Sequence, residues 1–153
     1  MTNDRRRFAL YLLVGGCAAL AAGAPAVAQN LTKAPIEADQ YGGFNFTVPS
    51  NNIECIYTPP GGTPTYSPPR NEAELSCDRA QPTYLHFDIG AHGPAAMIKN
   101  PGEQPCCSDR PVLNYGSAWK QGPFACTSEK TGLTCKREDG HGFFISREAA
   151  KTF

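Results

Sequence analysis

Nowhere in this chain do apolar residues recur over a long stretch at the 3.6-residue period of an amphipathic helix, which sets aside helical bundles and doubly wound α/β folds. After the first thirty residues there is no apolar run long enough to span a bilayer as a helix. No basic cluster follows either, so nucleic acid and anionic membrane surfaces are poor partners. A Gly-x-Ser-x-Gly elbow, a His-Glu-x-x-His pair and a phosphate-binding loop are all missing, and Tyr115-Gly116-Ser117-Ala118-Trp119 matches no nucleophile motif. Cysteines never occur as the Cys-x2–4-Cys pairs of structural zinc sites. These absences lead to an expectation of no catalytic residues, no metal and no cofactor.

What is present begins with an export signal. Arg5, Arg6 and Arg7 form a basic start, an apolar stretch runs from Phe8 to about Ala22, and Ala26-Val27-Ala28 is a small-x-small cleavage pattern. Residues 1–28 therefore read as a signal peptide, with Gln29 as the mature start and a periplasmic or secreted destination. Asp4-Arg5-Arg6-Arg7-Phe8-Ala9-Leu10 resembles a twin-arginine motif, although Asp4 and Ala9 depart from it, so Sec and twin-arginine routes both stay open. Val14-Gly15-Gly16-Cys17 loosely matches a lipobox. The apolar run continues past Cys17 to a better cleavage site, which disfavours a lipid anchor there.

The mature part carries eleven Lys and Arg against thirteen Asp and Glu, and six of the seven cysteines: Cys55, Cys77, Cys106, Cys107, Cys126 and Cys135. An even count in an exported chain of one-domain size fits a disulfide framework that supplements a modest core.

Residues 29–40 are polar and read as a flexible lead; residues 41–153 read as a single domain. Phe44-Asn45-Phe46-Thr47-Val48 and Ile53-Glu54-Cys55-Ile56-Tyr57 alternate in polarity around the turn Pro49-Ser50-Asn51-Asn52, predicting a hairpin. Between Thr58 and Arg70 lie five prolines and two glycines, which exclude a helix or central strand and predict an extended surface loop. Glu74-Leu75-Ser76-Cys77 is a short strand. Thr83 to Ile89 is another, with Tyr84, His86 and Asp88 on one face and Leu85, Phe87 and Ile89 on the other.

Residues 90–111 give no clear pattern. Short strand signals resume at Val112-Leu113, Ser117 to Trp119, Phe124 to Cys126, Leu133 to Lys136 and Phe143 to Ile145, and Ser146 to Lys151 fits one C-terminal helical turn capped by Ser146. The expected fold is all-β: a small disulfide-stapled antiparallel barrel or sandwich with a short C-terminal helical turn.

Cys126 to Cys135 gives the sharpest local prediction. With Glu129-Lys130-Thr131-Gly132 as the turn, Ser128 faces Leu133, Thr127 faces Thr134 and Cys126 faces Cys135, at a separation a disulfide can bridge. Cys55 with Cys77 is the next natural pair, clamping the base of the Pro-rich loop. Six cysteines allow 15 connectivities, so Cys106 and Cys107 stay unassigned.

These residues resemble a family of small exported bacterial proteins whose shared domain has no assigned function. Its opening block corresponds to Phe46-Thr47-Val48-Pro49-Ser50-Asn51-Asn52-Ile53-Glu54-Cys55, with Val48 as a substitution. Its closing block corresponds to Leu113-Asn114-Tyr115-Gly116, Trp119, Gly122-Pro123-Phe124, Cys126-Thr127-Ser128, Gly132-Leu133-Thr134-Cys135 and Gly140-His141-Gly142-Phe143-Phe144-Ile145-Ser146-Arg147. The middle departs: the family pattern has a cysteine where this chain has His86, while the doublet Cys106-Cys107 comes later. A disulfide map carried over from the family is therefore open between Cys77 and Cys107. The resemblance implies the architecture and brings no activity.

Three settings are candidate sites. Asp139-Gly140-His141-Gly142 with Arg147 can form a small anion site; the plainer interpretation is a tight hairpin turn. His86, Asp88 and His92 with Cys106 and Cys107 can supply metal ligands, but a surface-facing polar strand explains them as well, and Glu72, Glu74, Glu138 and Asp139 read as ordinary exposed charges. Tyr115, Trp119 and Phe124, with Tyr57 and Tyr66, can make an aromatic binding face, or simply fill a small core. The expected function is a non-catalytic exported module of unknown ligand, either binding a protein or an envelope glycan or serving as an envelope-associated structural component. The alternative is a small periplasmic enzyme or redox or metal protein using His86, His92, His141 and the Cys106-Cys107 doublet.

Overall fold

The alternating segments pair as their polarity requires. The structure, a computed structural model, describes residues 31–102 and 109–153. The expected export signal with Cys17, the expected Gln29 start, and the Cys106-Cys107 doublet lie outside the described residues.

After β1 (Thr32–Lys33), the strands β2 (Phe44–Thr47), β3 (Ile53–Thr58), β4 (Glu74–Arg79), β5 (Leu85–Gly90) and β6 (Ala96–Lys99) form one antiparallel sheet in chain order. A second sheet holds β7 (Ser117–Gln121), β8 (Phe124–Glu129), β9 (Gly132–Arg137), β10 (Gly142–Ile145) and β11 (Ala150–Thr152), again in chain order. β1 adds to its edge, parallel to β7. The two sheets stack as a sandwich rather than closing into a barrel.

The core is a pair of matching rows. Across the first sheet Phe46, Cys55, Cys77 and Phe87 stand side by side on β2 to β5. Across the second, Trp119, Cys126, Cys135 and Phe143 do the same on β7 to β10. The rows meet face to face, with ring centroids 5.2 Å apart for both Phe46–Trp119 and Phe87–Phe143. Disulfides Cys55–Cys77 and Cys126–Cys135, each with Cα atoms 4.1 Å apart, stack between the ring pairs. The sulfurs of Cys55, Cys77 and Cys135 fall within 4.8 Å of one another, a spacing that follows from this stacking of two closed disulfides. Burying each ring contributes about 1.5–3 kcal/mol before entropy is counted.

The match extends beyond the rows. Leu75-Ser76-Cys77-Asp78-Arg79 aligns with Leu133-Thr134-Cys135-Lys136-Arg137, and Phe87-Asp88-Ile89-Gly90 with Phe143-Phe144-Ile145-Ser146. The two buried arginines reach across reciprocally. Arg79 Nη1 donates to the carbonyl of Ser146 (2.9 Å), and Arg137 Nη1 to the carbonyl of Gly90, its counterpart. Their other donors are satisfied by Thr83 O for Arg79, and by Gly93 O and the Asp139 carboxylate for Arg137. A buried guanidinium is tolerated only with its fork filled in this way. Each half is thus the same four-stranded meander, related to the other by an approximate two-fold axis through the core.

The hairpin register is as the sequence predicts: Cys126 opposite Cys135, Thr127 opposite Thr134, Ser128 opposite Leu133. Gly132 closes it with φ +149°, and a Cβ there would stand 2.6 Å from the Ile145 carbonyl oxygen.

Three expectations change. The C-terminal helical turn is absent: Ser146 Oγ does accept from the N–H groups of Glu148 (3.2 Å) and Ala149 (3.0 Å), but the chain then reverses into β11. Pairing with the open edge of β10 satisfies several backbone groups at once, whereas a lone helical turn orders residues for one bond. The polar lead expected to be flexible carries β1 and buries Ala34 and Ile36. The patternless stretch after Gly90 contains the edge strand β6, whose residues are all exposed and so show no alternation in burial.

Candidate functional site

Once Cys77 faces the core, alternation along β4 turns Glu74, Ser76 and Asp78 outward, and the same rule places His86 and Asp88 on the outer face of β5. The Pro-rich segment leaves β3 at Thr58 and doubles back through a Thr63–Tyr66 bridge (Thr63 N–H to Tyr66 O, 2.7 Å). It returns to β4 through a 3-10 turn at Pro69–Asn71. Gly62 permits this reversal with φ +84°, where a Cβ would sit 2.9 Å from Ser67 Cα. The segment is pinned over the sheet by the Tyr66 hydroxyl, which donates to Glu74 Oε1 at 2.6 Å. With Asp39 and Tyr41 from the segment before β2, it walls a cleft of about 620 Å³ over Asn45, Ser76, His86 and Asp88. That is the size range of small-molecule sites.

The floor of the cleft is electrostatic. His86 Nδ1 lies 2.7 Å from Asp78 Oδ1 and Nε2 lies 2.9 Å from Asp88 Oδ1. Hydrogen bonding to Asp78, then to Asp88, raises the imidazole to about 10, so at neutral pH the ring is a cation donating both N–H groups. In that state both ring nitrogens carry protons and neither offers a lone pair. Tyr84 also donates to Asp78 Oδ1 (2.9 Å), and burial followed by that bond raises its hydroxyl to about 12. Burial raises Glu74 as well, against the lowering effect of the Tyr66 bond. Glu54 stands directly opposite Asp78 on the neighbouring strand, a repulsive placement offset by Arg110 at 3.3 Å on one side and His86 on the other.

The sequence candidates fall in different places. Trp119 and Phe124 are core residues, 3% and 0% exposed, so they are not a binding face; Trp119 packs on Phe44, Phe46 and Tyr57. Tyr57 is buried beside them, and both it and the half-exposed Tyr66 line the cleft. His141 lies exposed in the β9–β10 turn, where Asp139 engages Arg137 and accepts from the His141 N–H. Arg147 follows the other end of β10, so that strand separates the two residues and no shared anion site forms. Tyr115 and Arg147 instead border a small pocket at one end of the sandwich. His86 and Asp88 meet as their shared face implied, whereas His92 is exposed and 3.9 Å from Glu72. Glu74, read as an ordinary exposed charge, is buried at 8% exposure under the loop. Glu74, Asp78 and Tyr41 were the residues missed. Alternation outward from Cys77 was the available signal for the first two; nothing local marked Tyr41.

Fold and cleft together define a disulfide-stapled β-sandwich with an acidic, loop-roofed cleft on one sheet. Residues 87–153, from the middle of β5 to the C-terminus, match the model described as a family of unknown function (DUF6636). The Cys126–Cys135 hairpin and the Gly140 to Arg147 block lie within this match; the Phe46 to Cys55 block precedes it. No curated protein and no solved structure matches the chain.

Proposed function

We propose that this protein is an exported, non-catalytic binding module whose cleft holds a polar ligand bearing a cationic group. Amino-bearing envelope glycans and Lys- or Arg-containing protein segments both present that chemistry. The observation that carries the reading is the His86 ring held between Asp78 and Asp88, which gives the cleft a fixed polar floor. Among the described residues, Asp39, Glu74, Asp78 and Asp88 line the cleft against the cation His86, an acidic surplus that favours an ammonium or guanidinium guest. Tyr41 and Tyr66, each about half exposed, offer ring faces for a sugar or an alkyl chain. Export is supported by the basic and apolar start of the chain and by four cysteines closed into two disulfides.

Calorimetric titration of the purified, disulfide-intact protein tests this. Glucosamine oligomers or a Lys-rich peptide should bind, N-acetylated oligomers should bind far more weakly, and Asp88→Asn or Tyr66→Ala should each weaken binding about tenfold. Equal binding of the neutral oligomers, or no binding of either cationic probe, removes the proposal. Which cationic probe binds better separates glycan from protein partners.

A further inference from the structure

The two-fold relation between the halves exposes a place where they differ inside the core. Tyr57, two residues past Cys55, rests on Phe124, two residues before Cys126, with centroids 6.2 Å apart. β3 and β8 therefore run in opposite directions across the core, and Tyr57 closes one end of the sandwich. The counterpart of Tyr57 at the other end is Ser128, two residues past Cys126. A serine cannot fill the space that a tyrosine fills, and a pocket of about 110 Å³ opens there between the sheets.

The pocket has two kinds of wall. Val48, Ile53 and Leu133 give a buried apolar side. Ser128, 1% exposed, lines it with an Oγ that has no hydrogen-bond partner among the described residues. Arg147 and Lys130 stand at the mouth, and among the described residues neither has a carboxylate partner. The rim carboxylate of Glu129 accepts the Thr131 hydroxyl at 3.5 Å. A buried hydroxyl without a partner is costly unless something occupies its site.

We infer that this end pocket binds a short alkyl carboxylate. Arg147 and Lys130 hold the carboxylate at the mouth, the Ser128 hydroxyl donates to it, and the alkyl group lies on Val48, Ile53 and Leu133. The space equals about three to four waters, which suits a guest of two or three carbons. The charge is opposite to that sought by the acidic cleft, and the inference does not depend on the function proposed for that cleft.

The test is an amide NMR titration of the disulfide-intact protein with propionate, inorganic phosphate and propylammonium. Saturable shifts confined to residues 50–53, 128–133 and 146–147 are expected with propionate, and none there with propylammonium. Ser128→Ala keeps the space but removes the donor, and Arg147→Gln removes the charge; each should weaken propionate binding about tenfold. Ser128→Tyr, which restores the ring of the other half, should abolish it. Several outcomes overturn the assignment: a linear, unsaturable response, equal binding by Ser128→Ala, or no shift at all, which would mean that only water satisfies Ser128. Phosphate binding without propionate binding would overturn the alkyl specificity and leave an oxyanion site. An unchanged amide spectrum in Ser128→Ala away from the pocket shows that the variant is folded.

Discussion

The sheet of β2 to β6 and the sheet of β7 to β11 have the same frame and present different surfaces. Both have an aromatic–Cys–Cys–aromatic row, a Leu-Ser/Thr-Cys-x-Arg strand and an arginine that crosses to the opposite sheet. In the first, the bridged cysteines are 22 residues apart and the Pro-rich segment between them roofs a cleft; in the second they are 9 apart and joined by a tight hairpin. Outward positions diverge to match. β5 has His86 one residue before its core phenylalanine, where β10 has Gly142, whose Cβ would run into Cys135 O and Lys136 Cα. Most inward positions hold the fold, Tyr57 against Ser128 being an exception, and the wider divergence lies in the loop between strands and on the outer face.

The largest effects should come from the disulfides, where the halves should be unequal. On the chain-entropy view, opening Cys55–Cys77 by paired alanine substitution costs about 3.4 kcal/mol and opening Cys126–Cys135 about 2.6 kcal/mol, because the first closes the longer loop. Urea denaturation of the two double variants checks the order; a reversed order would mean that packing around the cystines, rather than loop length, governs the difference.

Arg79→Met and Arg137→Met come next, each costing about 2–3 kcal/mol through buried carbonyls left without donors. Near-equality is expected despite the extra Arg137–Asp139 pair, since Asp139 is half exposed. A cost below about 0.5 kcal/mol for either variant would break the reciprocal picture.

Between about pH 6.5 and 10 the pH response should come from His86 on the first sheet. His86 is raised in the folded state to about 10 from an ordinary 6.5, so the stability it contributes is complete below about pH 6.5 and is lost as pH rises through 10. The denaturation midpoint should fall over that window, and His86→Gln should flatten the fall. A slope that survives the substitution would place its origin elsewhere.

The smallest effect is expected at the Lys120–Glu138 pair on the outer face of the second sheet, exposed on both sides at 64% and 66%. Glu138→Gln should change stability by less than about 0.5 kcal/mol, measured in the same denaturation series.

Much of the frame was legible in the residues. Strands with one buried face betray themselves by alternation, which is why β2 to β5 and β7 to β10 were readable and the Cys126–Cys135 register could be counted from its turn. β1, β6 and β11 were not, because edge strands of two to four largely exposed residues are defined by a neighbour's open backbone rather than by their own pattern. The site was legible only in parts. His86 and Asp88 shared a face by period, but Asp78 joined them through β4–β5 pairing, and Glu74 and Tyr66 met only because the Pro-rich segment folds back over the sheet.

Composition and local polarity were enough to determine an all-β, disulfide-stapled domain and to point to the Cys126–Cys135 bridge by register and Cys55–Cys77 by position, since alternation, turn chemistry and cysteine spacing act over a few residues. The stacking of the two halves, the removal of Trp119 and Phe124 into the core, the acidic cleft and the unfilled place at Ser128 were decided by tertiary structure. Each depends on which residues of one sheet lie against the other, and that is set by packing across the core between segments far apart in the chain.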